Sequence, residues 1–141
     1  MAVGNIRLEV VTPEKVVVSE DAQIVMAPGA LGEFGVLTGH TPFLSTLKLG
    51  TIRYRDAKGV EHYVFVSGGF AEALPDKVTI LAESAERRSA IDVDRAKASL
   101  ERAQKRISGE GAEKEIDFVR AKSALERALN RIQLAETHSI K

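Results

Sequence analysis

The last third of the chain is dominated by a segment that occurs twice. Residues 92–107 recur as residues 117–132, with ten of the sixteen positions identical and three arginines in register in each copy. Each copy has apolar residues at the three- and four-residue steps of an amphipathic helix, and a short link containing glycine joins the copies. The chain therefore has two equivalent helix faces to bury at its C-terminal end, and the repeat predicts an antiparallel two-helix hairpin.

The predicted hairpin has a narrow apolar seam. The first helix is expected at about residues 92–108 and the second at about 115–136, with Ser89 and Asp92 forming a capping box before the first. The seam residues are Val93, Ala96, Leu100, Ala103 and Ile107, followed in the second helix by Phe118, Ala121, Leu125, Ala128, Ile132 and Ala135. Because every second one is alanine, the helices approach closely but bury little apolar area. Such a hairpin is marginally stable alone, which suits an element that opens.

Six arginines share one side of the predicted hairpin. Counted from the turn midpoint near Gly111, Arg95 and Arg127 both lie 16 residues away, which predicts that they stand side by side at the open end. Asp92 and Arg131 join them there. The turn end gathers the equivalent residues of the repeat, which are Arg102, Arg106, Asp117 and Arg120. Planar guanidinium groups suit phosphate oxygens, but the charge pattern alone leaves three interpretations open: a phosphate-bearing ligand, an acidic protein surface and a solvated charged face.

Residues 1–88 have the pattern of a β domain, and residues 89–141 form the helical domain. Short apolar runs alternate with turn signals and no helix intervenes, which indicates a sandwich or flattened barrel. Nine candidate strands are expected, at residues 6–11, 15–19, 22–27, 35–37, 43–47, 50–55, 61–67, 69–73 and 77–83. The glycine-rich stretch 29–42 lacks the Lys-Ser/Thr ending of a phosphate loop and is interpreted as tight turns. It presents Glu33 and His40, which would suit a contact with another protein.

Composition and residue spacing argue against several function classes. The 141-residue chain has no cysteine and a formal net charge of zero, which argues against thiol chemistry and against a generic nucleic-acid binder. No apolar stretch is long enough to span a bilayer, and the first residues lack the pattern of a signal peptide. His40, His62 and His138 are scattered, and no nucleophile–base motif accompanies them. The sequence therefore predicts no catalytic residues and no metal site.

Three motifs together make the chain similar, over essentially its whole length, to the ε subunits of bacterial F-type ATP synthases. They are Gly32-Glu33-Phe34-Gly35-Val36-Leu37 followed by His40-Thr41-Pro42-Phe43-Leu44, then Val66-Ser67-Gly68-Gly69-Phe70, and Val78-Thr79-Ile80-Leu81-Ala82. The resemblance implies an N-terminal β-sandwich of about ten strands and a C-terminal two-helix hairpin. It also implies a non-catalytic subunit on the rotor of the F1 sector, peripheral to the cytoplasmic side of the inner cell membrane.

The resemblance implies a coupling role and a regulatory role. The sandwich would bind the γ subunit and the ring of c subunits, coupling proton flow to ATP synthesis, and the loop bearing Glu33 and His40, with Thr12 nearby, would face these partners. The hairpin would permit ATP hydrolysis when folded on the sandwich. When extended into the catalytic head, it would inhibit hydrolysis by meeting an acidic segment of the β subunit.

One subset of this family binds ATP in the folded hairpin, as a regulatory ligand rather than a catalytic cofactor. Its motif, Ile/Leu-Asp-x-x-Arg-Ala, stands here as Ile91-Asp92-Val93-Asp94-Arg95-Ala96. The remaining contacts that match by position are Glu86, Arg127 and Arg131. The turn-end cluster has no counterpart in the family's site and is predicted to stay empty. The alternative is a subunit with the same structural and coupling role and no significant ATP binding.

Overall fold

The chain forms two compact units, Met1–Arg88 and Ser89–Lys141. The computed structural model describes residues 4–108 and 115–137. The first unit is built from strands and the second from two helices, so the predicted fold class is confirmed. Neither helix, over the residues that the structure describes, is long and apolar enough to cross a membrane.

Nine strands occur among the described residues of the first unit. They are β1 Ile6–Val11, β2 Val16–Gly29, β3 Gly32–Val36, β4 Phe43–Leu47, β5 Gly50–Asp56, β6 Glu61–Val66, β7 Gly69–Leu74, β8 Lys77–Ala82 and β9 Ala85–Arg87. Two expected strands, 15–19 and 22–27, are one long strand, because the chain passes through Glu20 and Asp21 without a turn. The three-residue strand β9 was missed, because its Ala-Glu-Arg sequence carries no strand signal.

Strand β2 belongs to both layers of the sandwich. Its first half pairs with β1, and its second half lies between β3 and β5. One layer continues from β1 through β8 and β7 to β4, and the other continues from β5 through β6 to β9. Among the strands that the structure describes, only β1 and β8 pair in parallel. Strand β4 returns to the end of β2, which closes the first layer into a flattened barrel.

The core of the sandwich is apolar because its strands alternate in the period of the pleat. On β1, for example, Ile6, Leu8 and Val10 are buried while the residues between them face outward. Two alternate residues of β6, Val64 and Val66, contribute with Tyr54 of β5 to the same apolar cluster. The buried polar hydroxyl of Tyr54 has hydrogen-bond partners, as described below.

A single 3₁₀ turn at Arg88–Ala90 precedes the hairpin, which consists of α1 (Val93–Ile107) and α2 (Glu115–Thr137). The predicted helix bounds are correct to within one residue at each end. The expected capping box is wrong in its first residue: Ser89 lies in the 3₁₀ turn, and Asp92 itself caps α1. Asp92 has extended backbone angles, which suit an N-cap, whereas Ser89 precedes one more turn of chain.

Alanines form the most buried part of the hairpin seam. Ala96 and Ala103 of α1 and Ala121 and Ala128 of α2 are all buried. The larger seam residues are only half-buried, and Phe118 is 44% exposed. Leu134, which the seam pattern did not include, is also buried. The helices therefore pack through small side chains, as the repeat predicts.

Candidate functional site

The first residue of the candidate nucleotide motif serves the helix itself. The Asp92 carboxylate accepts a hydrogen bond of 3.0 Å from the backbone N–H of Arg95, and the Asp92 carbonyl accepts one of 3.0 Å from the N–H of Ala96. The first bond satisfies a donor that the start of a helix leaves open, and the second is the first regular hydrogen bond of the helix. Asp92 is thus fully explained as an N-cap before any ligand is considered.

The other motif residues have different surroundings. Arg95 is exposed, Ile91 is half-buried between the 3₁₀ turn and α1, and Ala96 is buried in the seam. On α2, Arg127 and Arg131 are half-buried. Glu86 lies in strand β9 of the sandwich unit and is half-buried there. Ala96, at the end of the motif, has a packing role, because a larger side chain in the seam would separate the helices.

One ion pair between the helices limits how α1 and α2 can be aligned along their length. Lys97 Nζ lies 3.6 Å from Glu136 Oε1, which joins the first turns of α1 to the last turn of α2. Suppose that Arg95 and Arg127 lay at the same height along the helix pair. Glu136 would then lie about 16 Å along the helix axis from the α2 residue that faces Lys97. That offset, added to the roughly 8–10 Å between packed helix axes, exceeds the reach of the two side chains.

The ion pair therefore argues against an exact alignment of Arg95 with Arg127. That alignment assumed a turn symmetric about Gly111, whereas α2 has 23 residues and α1 has 15. The prediction that Arg95 and Arg127 stand side by side stays a prediction, and Arg127 and Arg131 both remain candidates to share one anion with Arg95.

The open end of the hairpin combines features that favour an anion. The N-terminus of α1 carries a partial positive charge, and Arg95, Lys97 and Arg131 add full charges beside it. The carboxylates of Asp92 and Glu136 offset part of this charge, the first as the cap and the second as the partner of Lys97. A polyphosphate has enough negative charge to compete with them.

The turn end has the same arginines in a different setting. Arg102 Nη2 donates to Ser99 Oγ at 3.0 Å within its own helix, and Lys105 pairs with Glu101 at 3.7 Å. Arg106 and Arg120 are exposed. The side chain of Asp117 lies outside the described residues. The prediction that this end stays empty remains a prediction.

Thr12 lies at the rim of an apolar surface of the sandwich. Its hydroxyl accepts hydrogen bonds from the N–H groups of Glu14 and Lys15, at 3.3 and 3.2 Å, and so shapes the turn between β1 and β2. Beside it is an open depression of about 410 Å³ whose walls include Phe70 and Leu81. These two side chains are 61% and 53% exposed, which is unusual for residues of their size.

The apolar residues at this surface were not identified from the sequence. Phe70 and Leu81 lie opposite each other in the β7–β8 ladder, so both point away from the core. An apolar residue at an outward position on each of two paired strands is a signal that the strand pattern contains. It becomes visible only when the pairing register is known.

Glu33 and His40 have different surroundings on the sandwich. Glu33 Oε1 accepts a hydrogen bond of 3.0 Å from Arg53 Nη2. The His40 ring meets Phe43 edge-on at 5.0 Å, and Phe43 meets Phe34 in the same way at 5.1 Å. These ring contacts connect the loop of His40 to the strand that carries Glu33.

Thr12 and His40 lie at opposite ends of the sandwich. Thr12 follows Val11, whose partner in β8 is Leu81, whereas the N–H of Gly39 bonds to the carbonyl of Pro75 in the turn before β8. These two positions are separated by at least four residues of β8, which is a distance of at least about 13 Å. The expectation that Thr12 is near His40 is therefore wrong, since the sequence does not show which end of a strand a turn joins.

The histidine in β6 belongs to a structural pair. His62 Nε2 lies 2.8 Å from Asp56 Oδ2, and the pKa of the Asp56 carboxyl is lowered by this hydrogen bond and by those from the N–H groups of Val60 and Lys58. Within residues 4–108 and 115–137, no group of three His, Asp or Glu side chains lies close enough to hold a metal ion.

Comparison with family models divides the chain at the same place as its contacts. Residues 5–88 match the model described as ATP synthase, Delta/Epsilon chain, beta-sandwich domain. Residues 89–136 match the model described as ATP synthase, Delta/Epsilon chain, long alpha-helix domain.

Individual relatives agree with the family models. The chain is 67% identical over 104 residues to the ATP synthase epsilon chain of Desulfatibacillum aliphaticivorans, covering 74% of each protein. It is 68% identical over 104 residues to that of Desulforapulum autotrophicum, covering 74% of this chain and 77% of the relative.

Two solved structures share the fold at low identity. A chain of the Euglena gracilis mitochondrial ATP synthase, from a structure of its OSCP/F1/c-ring, is 23% identical with a TM-score of 0.77, over 98% of this chain and 85% of that one. A chain from the central stalk/c-ring structure of the Tetrahymena thermophila mitochondrial ATP synthase is 14% identical with a TM-score of 0.61, over 96% and 99%.

Proposed function

The chain belongs to the family of ATP synthase ε subunits, and we propose that it is a non-catalytic rotor subunit that couples proton flow to ATP synthesis. Sequence identity of 67% with a bacterial ε chain over three quarters of both proteins supports this assignment. Under this proposal, the subunit lies at the cytoplasmic side of the inner membrane and is held there by the rest of the complex.

The sandwich contributes two separate binding surfaces under this proposal. The apolar surface around Thr12, Phe70 and Leu81 suits a permanent contact with the γ subunit, because burying exposed aromatic and aliphatic groups stabilises an obligate interface. The polar side chains of Glu33 and His40 suit contacts with the c-ring. The opposite positions of Thr12 and His40 support a subunit that lies between two partners.

The hairpin is proposed as a mobile regulatory arm that senses ATP and, when extended, inhibits hydrolysis by meeting the acidic segment of the β subunit. The observation that carries this proposal is the combination of an alanine seam with Arg95 and Arg131 at the open end. A weakly held hairpin needs a ligand to keep it closed, and an arginine pair beside a helix N-terminus supplies a site for polyphosphate.

A second candidate function is a purely structural and coupling role without significant ATP binding. The capping bond of Asp92 favours it, because this bond explains the acidic residue of the motif without a nucleotide. The ion pair of Lys97 with Glu136 likewise offsets one of the positive charges at the open end.

Calorimetric titration of the isolated chain with ATP distinguishes the two functions, and the internal repeat supplies matched controls. Arg131→Ala and Arg127→Ala are compared with Arg106→Ala and Arg102→Ala, which are the same residues of the other copy. We expect the first two variants to weaken ATP binding tenfold or more, in keeping with the loss of about 1.5–3 kcal/mol from a charged hydrogen bond. The two controls should bind like wild type.

The outcomes of this titration separate the possibilities cleanly. An absence of binding heat in the wild type supports the purely structural role. Equal binding by Arg131→Ala and Arg106→Ala would place the nucleotide elsewhere and refute the open-end site.

Removal of residues 89–141 tests the regulatory role in the assembled enzyme. The apolar core cluster of the sandwich lies entirely within residues 6–85, so this unit retains its core when the hairpin is removed. We expect the truncated subunit to assemble and the complex to hydrolyse ATP faster. Loss of assembly would instead assign the essential partner contacts to the hairpin.

A further inference from the structure

Strand β9 is the last element of the sandwich and the weakest by main-chain pairing alone. It has only three residues, which pair with Val64, Phe65 and Val66 of β6. It lies at the edge of its layer, so no other strand of residues 4–108 pairs with its other side. Three paired residues at a sheet edge are too few to keep a strand in place when the chain that follows it moves.

Side-chain bonds from Arg87 supply what the main chain lacks. Arg87 Nε donates to the carbonyl of Val17 at 3.2 Å, and Arg87 Nη1 donates to the hydroxyl of Tyr54 at 3.0 Å. Tyr54 in turn donates to the carboxylate of Glu20. We call this set of groups, Glu20, Tyr54, Arg87 and the Val17 carbonyl, the β9 latch.

A β-bulge makes the Val17 carbonyl available. Val10 pairs with Val18 and Val11 pairs with Val16, so Val17 is the extra residue that the β1–β2 ladder skips. The guanidinium of Arg87 thus reaches from the edge of one layer to the first half of β2, where main-chain pairing is interrupted. The latch therefore bonds β9 to β2 at a residue that has no partner in the β1–β2 ladder.

The tyrosine of the latch is held in place and stays a donor. Its side chain is almost fully buried, and the His62 ring stacks on it at 4.9 Å. Burial, and then the hydrogen bond to Glu20, raise the pKa of Tyr54 above its usual range. The phenol therefore remains protonated at physiological pH and bonds to Glu20 while accepting from Arg87.

We propose that the β9 latch fastens the last strand to the sandwich, so that the hairpin moves as a unit that begins after Arg87. The inference rests on the proposed function, in which the hairpin leaves its closed position. Without the latch, opening of the hairpin would also strip Ala85–Arg87 from β6 and expose the apolar side chains beneath.

Native-state hydrogen exchange of the full chain, without nucleotide, tests the latch. In the wild type, we expect the amides of the β6–β9 ladder to exchange together with those of the sandwich core, and those of α1 to exchange faster. In Tyr54→Phe, the ladder amides should exchange roughly tenfold faster, the change expected for the loss of one hydrogen bond. The ladder amides should then exchange together with those of α1, while the amides of β1 and β8 keep their protection from exchange.

Two further variants guard against a purely structural explanation. Glu20→Gln keeps the ring of Tyr54 in place and removes only the charge of its acceptor, and we expect a smaller shift in the same amides. Asp21→Asn is the matched control, since the neighbouring acid pairs with Arg7 on the exposed side of β1 and does not contact the latch. It should leave the β9 exchange rates unchanged.

The proposal is overturned if the wild-type β9 amides already exchange with α1, or if they keep their protection in both Tyr54→Phe and Arg87→Ala. A uniform loss of protection through the whole sandwich would also overturn it, because that pattern shows a general core role for Tyr54. The measurement contains no ATP, so a chain that does not sense ATP would still give a decisive result about the latch.

Discussion

Replacement of Gly69 by alanine is expected to destabilise the sandwich strongly. Gly69 begins β7 with a φ of +140°, and a Cβ at this position would lie 2.0 Å from the carbonyl oxygen of Leu81 and 3.0 Å from the Cα of Ala82. Both atoms belong to the backbone of the paired strand β8, so neither can move without breaking the Gly69–Ala82 end of the ladder.

Gly59→Ala provides the matched control for this change. Gly59 also has a positive φ, +87°, but a Cβ there meets nothing within 4 Å. The control therefore carries only the conformational cost, about 1–2 kcal/mol. Gly69→Ala adds an overpacking cost of about 1–3 kcal/mol, because the obstructing atoms are backbone. We expect the difference between the two variants to equal this second contribution.

Urea unfolding followed by tyrosine fluorescence measures this difference. The chain has two tyrosines and no tryptophan, and Tyr54 and Tyr63 both lie in the sandwich. The signal thus reports the sandwich without the hairpin. If Gly69→Ala is as stable as Gly59→Ala, β8 yields to the new methyl group and the rigid-ladder reasoning is refuted. Because Gly69 also lines the depression beside Thr12, the same variant should weaken the contact with the γ subunit that we propose for this surface.

Three further changes test other parts of the molecule. Ala103→Leu should lower the thermal midpoint of the helical circular dichroism signal by forcing the helices apart, at a cost of about 1–3 kcal/mol, whereas Ala98→Leu at an exposed position should not. Asp56→Asn should reduce the free energy of urea unfolding more at pH 7 than at pH 3. The hydrogen bond from His62 lowers the pKa of Asp56, so its stabilising contribution is present above the unfolded value and is lost as the pH falls through the folded one; an equal effect at both pH values would contradict this. Asp92→Ala should cost α1 about 1 kcal/mol and Asp92→Ser much less, and an Asp92→Ser variant that still binds ATP would confine this residue to its capping role.

Periodic features of the sequence predicted the fold because each unit repeats one local pattern of apolar residues. The pattern is that of an amphipathic helix in the hairpin and that of a pleated strand in the sandwich. The two helices follow from the repeat, and the pairs of β5 with β6 and β7 with β8 follow from alternation interrupted by short turns. Strand β9 could not be predicted in this way. Its three residues are held by Arg87 and Tyr54 through bonds that span 33 and more positions, and such partners leave no local pattern.

The candidate site was only partly accessible to sequence reasoning for a similar reason. The arginines of the open end were identified from their spacing, but their levels along the hairpin depend on the turn and on packing between helices. One ion pair, Lys97 with Glu136, argues against an exact alignment of Arg95 with Arg127, and the repeat could not reveal it because Glu136 lies outside residues 117–132. The positions of Thr12 and His40 likewise required the β1–β8 pairing, which is parallel and therefore non-local.

The alanine seam sets the energy scale on which a nucleotide can act. A ligand at one hundred times its dissociation constant stabilises the state that binds it by about 2.7 kcal/mol. A leucine in place of each buried alanine would add about 1.5–3 kcal/mol of burial per side chain if the helices repacked around it. Four such residues would make the closed hairpin far more stable than any cellular change in ATP could reverse. The stability of the closed hairpin stays within the range that the proposed ligand could change because the buried seam residues are small: Ala96, Ala103, Ala121 and Ala128. The small side chains of the repeat are therefore as necessary to the proposed sensor as its arginines.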